Sequence, residues 1–319
     1  MKKSLMTLLV AALCLSTVVA APKKSKKSKE KVIKIGVVQL LEHVALDKNY
    51  QGFDDGLAEA GYVDGKNIKI DFQNAQGEQA NCVTIAEKLV DDKDDLIFAI
   101  ANPAAQAVAN ITTDIPILIS SVTDPESAKL VKSNEKPGTN VTGTSDLTPC
   151  AAQMKLLKKI FPEAKTVGML FCSSEQNSRF QIDLAEAACR ELGLNYVEMT
   201  VSNSNELAQV TQALCGKCDV LYSPTDNMVA AGMALVGQVC LENKKAIICG
   251  EEGMVDAGGL ATYGINYYEL GKQTAKMAVE ILKNGKKPAE MPIQYLDVCD
   301  LKINQATAKA LGIKIPDNL

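Results

Sequence analysis

Short apolar segments alternate with amphipathic helical segments along most of the chain, and this alternation limits the fold more than any other feature. Residues 32–40 are apolar without a helical period, which indicates a buried strand, whereas residues 47–60 repeat apolar residues at helical spacing. The same order recurs with short connections as far as residues 305–311. Such βα alternation is typical of a doubly wound parallel sheet. We therefore predict an α/β fold.

Residues 136–146 interrupt the alternation with a passage rich in Gly, Thr and Asn, and they separate two similar halves. We interpret this passage as a hinge crossing, with further crossings near Glu252 and Cys299. The predicted architecture is two doubly wound parallel-sheet lobes joined by a three-crossing hinge. Lobe one comprises residues 32–144 and 253–298, and ends in a predicted strand at residues 293–298. Lobe two comprises residues 145–252 and 299–319.

The N-terminus has the pattern of an export signal. Lys2 and Lys3 precede a largely apolar run that is too short to span a membrane. We predict a signal peptide at residues 1–20, followed by a basic tether at residues 21–31 that cannot pack. Cys14 leaves a lipid anchor open, although Leu13 stands where lipidation needs a small residue. The expected location is the periplasm or the cell surface.

Nine of the ten cysteines remain once the signal is removed, and an odd number in a long chain argues against a disulfide framework. Cys215 and Cys218 form a C-G-K-C motif, but they follow a helical segment, whose dipole disfavours a thiolate. A zinc site would need more ligands than the single histidine, His43, provides. A disulfide between Cys215 and Cys218 stays open. Five others lie in apolar segments and are predicted core residues: Cys172, Cys189, Cys240, Cys249 and Cys299.

Two polar elbows follow predicted strands. Residues 220–227, V-L-Y-S-P-T-D-N, lead from a strand into a helix with Asp226 or Asn227 at its N-cap, and residues 117–125 form a similar elbow in the first half. Ligands of open α/β sheets bind beyond the carboxyl ends of the strands. Two facing elbows therefore predict a binding cleft.

The strand ends present neutral hydrogen-bonding groups and a few carboxylates, with Glu175 among them. No nucleophile is paired with a base, no acidic cluster suits a metal, and no glycine-rich phosphate loop is present. We predict a binding protein that is not an enzyme and that needs no cofactor or metal. Hydroxyls and helix N-termini suit a carboxylate, and Asp226 suits an ammonium group. The predicted ligand-binding residues are Gln39, Asn102, Ser121, Thr123, Asp124, Ser174, Asn177, Ser178, Thr225, Asp226, Asn227 and Glu251.

Many collinear motifs carry a family resemblance. They include I-G-V-V-Q, E-H-V-A-L-D, A-G-Y-V-D-G-K-N, P-A-A-Q-A, P-G-T-N-V-T-G-T-S-D, S-S-E-Q-N-S, P-T-D-N and the terminal N-Q-A-T-A-K-A-L-G-I-K-I-P. In these passages the mature chain resembles the ABC transporter substrate-binding proteins of the tryptophan/tyrosine type. The resemblance implies a type I periplasmic-binding fold that closes on its ligand. It also implies partners: a membrane permease and its ATPase.

The resemblance also suggests roles for individual residues. Asn102, Ser121 and Thr123 would hold the ligand's α-carboxylate or amine from lobe one, opposite a lobe-two set of Ser174, Asn177 and Asp226. The family often has G-T before P-A-A-Q, where this chain has Ala101 and Asn102. For an aromatic ligand, Tyr222 and Tyr263 are candidates to contact the ring, and a core position is equally open for both.

We expect an exported solute-binding protein of an ABC importer that captures a small amino-acid-like ligand, with an aromatic amino acid favoured. A net charge of -4 and the lack of a basic recognition helix argue against nucleic acid. We expect a monomer. A sensory subunit that presents its closed form to a receptor remains an alternative, as does a nucleoside or sugar ligand.

Overall fold

A computed structural model describes residues 32–319, which form one compact unit. The predicted signal peptide, the tether and Cys14 lie outside the described residues. Two sheets organise the unit, the first of five strands and the second of six. The first sheet contains β1 Ile33–Gln39, β2 Ile68–Asn74, β3 Leu96–Ile100, β4 Ile117–Ser120 and β5 Val141–Gly143. The second contains β6 Thr166–Cys172, β7 Asn195–Val201, β8 Val220–Ser223, β9 Ile247–Cys249, β10 Ala261–Gly264 and β11 Asp300–Ile303.

Eleven α-helices connect these strands within residues 32–319. They are α1 Val44–Glu59, α2 Gln79–Asp91, α3 Asn102–Ile111, α4 Cys150–Ile160, α5 Gln176–Glu191, α6 Leu207–Cys215, α7 Asn227–Ala231, α8 Met233–Glu242, α9 Glu252–Asp256, α10 Tyr267–Asn284 and α11 Gln305–Leu311. Helix α1 packs on α10 and α2 on α3, while α4 packs on α5 and α6 on α8. Each sheet is therefore paired with helices, as the βα alternation predicted.

Both sheets are built from parallel strands. The order is β2-β1-β3-β4-β5 in the first and β11-β10-β9-β8-β6-β7 in the second, where only the β10–β11 pair is antiparallel. Alternate residues of β6 enter different cores: Met169 and Phe171 join one cluster, while Leu170 and Cys172 join another. Side chains alternate across a strand, so the second sheet has an apolar core on each face. The predicted α/β class, with two parallel-sheet lobes, is confirmed.

The boundary expected near Glu252 is wrong. Strand β10 hydrogen-bonds to β9 and β11, so Ala261–Gly264 belongs to the second sheet and not to lobe one. The chain reaches the first lobe only afterwards, when α10 packs on α1. Below, "lobe one" means residues 32–144 and 266–298, and "lobe two" means the remainder of the described chain.

The strand expected at residues 293–298 is also wrong. Only Gln294 forms a bridge, with Thr144, and the final strand is β11. Val298 is 62% exposed and Tyr295 is 43% exposed, so these apolar side chains point to solvent and do not build a core. The single helix expected after residue 227 is divided at Gly232 into α7 and α8. Residues 136–146, which we interpret as a hinge crossing, also contribute β5 at the edge of the first sheet.

Candidate functional site

The predicted site residues lie at the carboxyl ends of the strands, and all except Asp124 and Ser174 are buried. In lobe one, Asn102 Oδ1 accepts a hydrogen bond from the backbone N–H of Thr123 at 3.1 Å, which joins the elbows after β3 and β4. Thr123 Oγ1 donates to Asp146 at 3.2 Å. Ser121 Oγ is buried and has no hydrogen-bond partner among residues 32–319. A hydroxyl is thus available to a ligand at this elbow.

The backbone is strained at the same elbows. Ala101 has φ 81° and Ser121 has φ 54°, values in the left-handed region that favours glycine. Such strain is frequent at binding sites, where the surrounding structure holds the backbone in place. A glycine would adopt the conformation of Ala101 without this strain.

Gln39 and Asp124 have mainly local partners. Gln39 Nε2 donates to Asp47 at 2.7 Å and to the carbonyl of Leu41 at 2.9 Å, while its buried Oε1 is unpartnered. Asp124 Oδ1 accepts from the backbone N–H of Ser127 at 3.0 Å and so closes a turn. A ligand-binding role for Asp124 stays a prediction, and its geometry favours the turn.

Asp226 is the centre of a hydrogen-bond network within lobe two. It is fully buried, and as the N-cap of α7 it accepts from the backbone N–H of Val229 at 2.8 Å. Its other oxygen accepts from the backbone N–H of Cys172 at 2.6 Å and from Ser178 Oγ at 2.7 Å. Burial raises the pKa of Asp226, and these hydrogen bonds oppose the shift. The predicted N-cap is confirmed, whereas the ammonium-binding role stays a prediction because both oxygens already have partners.

Glu175 is a buried carboxylate outside the predicted ligand-binding set. Its Oε2 accepts from the backbone N–H of Asn227, and its Oε1 accepts from that of Met228, both at 3.0 Å. Burial, and next the neighbouring Asp226 carboxylate, raises the pKa of Glu175 to about 8. Asn177 Nδ2 donates to Glu175 at 3.2 Å, and the buried Oδ1 of Asn177 has no hydrogen-bond partner in the described part of the chain. Glu175 and Asn177 are therefore neighbours, and each has an oxygen that can accept a further hydrogen bond.

The other predicted residues of lobe two differ in their hydrogen-bond contacts. Glu251 caps α9 by accepting from the backbone N–H groups of Gly253 and Met254, and burial raises its pKa to about 7. Thr225 Oγ1 accepts from Gln181 Nε2 at 2.7 Å. Ser174 is exposed, and its Oγ lies 3.1 Å from the Sγ of Cys172.

Several hydrogen bonds join the two lobes. Gln181 Nε2 lies 3.4 Å from Thr123 Oγ1, and His43 Nε2 lies 3.4 Å from Asn227 Oδ1. Burial lowers the pKa of His43 to about 4, so its ring is neutral at pH 7. At the start of α5, Gln176 donates to the carbonyl of Ser127 and accepts from Gln106 Nε2, both at 3.0 Å. The structure is thus a closed arrangement of the lobes.

A cavity of about 470 Å³ lies between the lobes. Lobe one lines it with Leu40, Leu41 and Pro103, and lobe two with Glu175 and Met228. Of the predicted ligand-binding residues, Ser174 lines this cavity.

The two candidate tyrosines lie elsewhere. Tyr222 is fully buried and donates from its hydroxyl to Gln153, and Tyr263 packs against a core of lobe two. The apolar lining of the cavity therefore comes from aliphatic side chains and a proline. In the sequence, Pro103, Met228 and Glu175 lie beside the strand-end elbows. This position was the signal that could have identified them as residues lining the cavity.

Two kinds of structural feature are absent from residues 32–319. Within that range no group of three or more His, Cys, Asp or Glu side chains is arranged to hold a metal ion. Over the same range, no helix has the length and apolar character needed to cross a membrane.

Comparison with known proteins identifies the class. Residues 34–319 match the profile of the family described as ABC transporter substrate binding protein, and the chain belongs to this family. It is 46% identical over 292 residues to the "Tyrosine-binding protein" of Clostridioides difficile (strain R20291), an alignment that covers 92% of this chain and 84% of the relative. Members of this family act outside the cytoplasm and bind a small-molecule ligand for a transporter.

Two solved structures of similar proteins show how the arrangement of the lobes compares with theirs. An ABC domain in complex with L-Trp from Streptococcus pneumonia matches with TM-score 0.87 at 40% identity, over 90% of this chain and 97% of that one. A ligand-free, open substrate binding protein with adhesive properties from Clostridium difficile matches with TM-score 0.69 at 48% identity, over the same shares. The more similar sequence gives the poorer superposition. The lobes here are therefore arranged as in the L-Trp complex, within the type I periplasmic-binding fold.

Proposed function

We propose that this protein captures an aromatic amino acid between its two lobes and delivers it to the permease and ATPase of an ABC importer. The observation that carries the proposal is the cavity between the lobes, which combines apolar side chains from both lobes with polar ones, among them residues 76–79 and 202–204, and with a buried carboxylate, Glu175. Support comes from the relative named for tyrosine and from the complex with L-Trp.

The aromatic side chain occupies the cavity in this proposal. Its volume of about 470 Å³ is within the usual range of small-molecule sites. Leu40, Leu41, Pro103 and Met228 line it from both lobes, so a ring placed there contacts each lobe. Burying the apolar surface of the ring stabilises the closed arrangement, at roughly 25 cal/mol per Å² removed from water.

The amino-acid head group binds at the elbows next to the cavity. We assign the ammonium group to Glu175, whose Oε1 accepts one hydrogen bond, and to the unpartnered Oδ1 of Asn177. An adjacent cation favours the ionised carboxylate and offsets the effect of burial on its pKa. For the ligand carboxylate, the free hydroxyl of Ser121 and the first N–H groups of α3 are the proposed donors. The remaining predicted residues stay proposed neighbours of this site.

We further propose that closure occurs at three crossings, near residues 145, 265 and 299, with the corrected lobe boundaries. The protein is proposed to work as an exported monomer in the periplasm or at the cell surface. A lipid anchor at Cys14 would hold it near its permease.

A thermal-shift screen of amino acids, nucleosides and simple sugars tests the proposed function. The protein is first unfolded and refolded to remove any ligand carried through purification. A ligand at 100 times its dissociation constant adds about 2.7 kcal/mol of stability. We expect tyrosine, tryptophan or phenylalanine to raise the melting temperature and the other compounds to leave it unchanged. A shift with a sugar or nucleoside alone would overturn the proposed ligand class.

A further inference from the structure

A cluster of cysteines lies in lobe two, in the core formed by α6, α8 and one face of the second sheet. Cys215, Cys218, Cys240 and Cys249 are all buried in this core, and every cysteine in the described range is a free thiol. The binding site proposed above uses none of these four. Two of them lie on neighbouring helices, Cys215 at the end of α6 and Cys240 near the end of α8.

The packing of α6 against α8 brings these two thiols together. Leu207, the first residue of α6, contacts Gly232 immediately before α8. Further along, Gln212 and Asn243 exchange two hydrogen bonds, of 2.7 and 2.8 Å. Cys215 lies beyond Gln212 at the end of α6, in the same apolar core as Cys240, and each of the two thiols shifts the pKa of the other.

The thiol of Cys218 has different contacts from those of Cys215 and Cys240. Its thiol donates to the carbonyl of Leu214 at 3.2 Å and packs against Gly168 of β6, while its carbonyl accepts from Lys245 Nζ at 2.6 Å. A bond from Cys215 to Cys218 would have to break these contacts. The C-G-K-C spacing therefore suggests the wrong partner for Cys215, because the neighbour in space is 25 residues away in sequence.

We propose that Cys215 and Cys240 form a structural disulfide that crosslinks α6 to α8. The oxidant is a disulfide of a small thiol or of a thiol oxidoreductase, available outside the cytoplasm. The Cys215 thiolate attacks one sulfur of the oxidant and expels its first thiol. Cys240 then loses its proton and attacks the Cys215 sulfur, which expels the second thiol. Two protein thiols are oxidised and one external disulfide is reduced to two thiols.

The electrostatics of the pair suit this order of attack. The hydrogen bond from Cys240 lowers the pKa of Cys215, while the same contact raises the pKa of Cys240. Cys215 is therefore the better nucleophile of the two. Both side chains are buried in the folded protein, so the exchange takes place during folding, once α6 and α8 have brought the two thiols together and before the core closes over them.

The test uses the full chain, reduced and unfolded, then refolded with glutathione disulfide and with dithiothreitol in parallel. We expect the oxidised sample, alkylated after denaturation, to carry two fewer alkyl groups than the reduced sample. Peptide mapping should yield a Cys215–Cys240 crosslink that dithiothreitol reduces only after the protein is unfolded. Equal alkylation of the two samples would overturn the proposal, as would a crosslink between Cys215 and Cys218.

Three single variants separate the pairings. Cys218→Ser should retain the crosslink and its resistance to reduction in the folded state. Cys215→Ser and Cys240→Ser should each lose it and unfold at a lower temperature than the oxidised parent, but at the same temperature as the reduced parent to within a few degrees. Loss of the crosslink in Cys218→Ser with retention in Cys240→Ser would contradict the assignment. None of the four cysteines contacts the ligand in the proposed site, so ligand affinity serves as a check that each variant is folded.

Discussion

Individual acidic residues set the chemistry of the elbows in lobe two. Glu175 and Asp226 are both buried, and each accepts backbone N–H groups at the start of α7. Asp226 has all its partners within its lobe, whereas Glu175 also lines the cavity. Burial, and next the neighbouring Asp226 carboxylate, disfavours the ionised form of Glu175 and raises its pKa to about 8.

The first prediction concerns the pH dependence of stability. The pKa of Glu175 is about 8 in the folded protein, above its ordinary value of 4.5, so the fold favours the protonated form. The contribution of Glu175 to stability is therefore complete below pH 4.5 and is lost as the pH rises to about 8. Glu175→Gln should remove a slope of up to about 1.4 kcal/mol per pH unit in this window. Urea unfolding at several pH values measures it.

The test compares how the free energy of unfolding changes with pH in the parent and in the variant. Burial also raises the pKa of Glu251 to about 7 and that of Asp146 to about 6, so both contribute a slope of the same sign. These slopes persist in the variant. Parallel curves for parent and variant between pH 5 and 8 would show that Glu175 is ionised throughout, against this account.

At the scale of elements, the contact between α1 and α10 fixes lobe one. The helices approach closely because Gly52 lies against the backbone of Tyr268, and Gly271 against the backbone of Asn49. Asn49 in turn donates to Ser120 Oγ at 2.8 Å, at the end of β4. This helix pair therefore supports the elbow that carries Ser121.

A second prediction tests this close approach. A Cβ added at Gly271 would overlap the carbonyl oxygen of Asn49, so Gly271→Ala should destabilise the protein by about 1–3 kcal/mol. Gly216→Ala is the matched control, because Gly216 has φ −74° and its nearest neighbour to an added Cβ lies at 3.5 Å. The control should be neutral or slightly stabilising. Equal melting temperatures for the two variants would mean that α1 and α10 can separate without cost.

The sequence predicted most helices and strands, but not always the sheet to which a strand belongs. Apolar runs identified the parallel strands because these are buried on both faces, as in the fully buried β3. Residues 293–298 have similar apolar content, which predicts a strand, yet Val298 and Tyr295 face solvent. Composition does not reveal which sheet a segment joins, and for that reason β10 was assigned to the wrong lobe.

Site prediction was limited in the same way. The T-D-N motif identified Asp226 as a cap because capping depends on neighbours in sequence. Whether a carboxylate also faces a cavity depends on elements far apart in the chain, such as the loop after β1 and the start of α7, which line the cavity beside Glu175. The sequence therefore indicated the elbows, with Glu175 among their carboxylates, but it did not show that Glu175 lines the cavity.

The whole molecule is a pair of lobes held closed by few contacts. Gln176 is exposed at the rim of the cleft and forms two hydrogen bonds to lobe one, with Ser127 and Gln106. Because the proposed ligand contacts both lobes, bonds that favour closure also strengthen binding. Gln176 acts in this account as a latch that does not line the cavity.

A third prediction follows for the latch. Gln176→Ala removes two hydrogen bonds worth about 0.5–1.5 kcal/mol each, so affinity for the ligand should fall roughly 5- to 150-fold through faster dissociation. Gln238→Ala is the control, since Gln238 is exposed but pairs with Glu242 inside α8. Stopped-flow dissociation and small-angle scattering measure the rate and the closed fraction. An unchanged dissociation rate would exclude the latch.

The most direct test of the account is calorimetric titration of the ligand-free protein with L-tyrosine or L-tryptophan and with the matching analogue that lacks the amino group. The account predicts that the parent amino acid binds and that the analogue binds roughly 10- to 150-fold more weakly, since it loses a charge-assisted hydrogen bond to Glu175 worth about 1.5–3 kcal/mol. Equal affinities for the amino acid and its analogue would contradict the claim that Glu175 recognises the ammonium group beside the cavity that holds the aromatic ring.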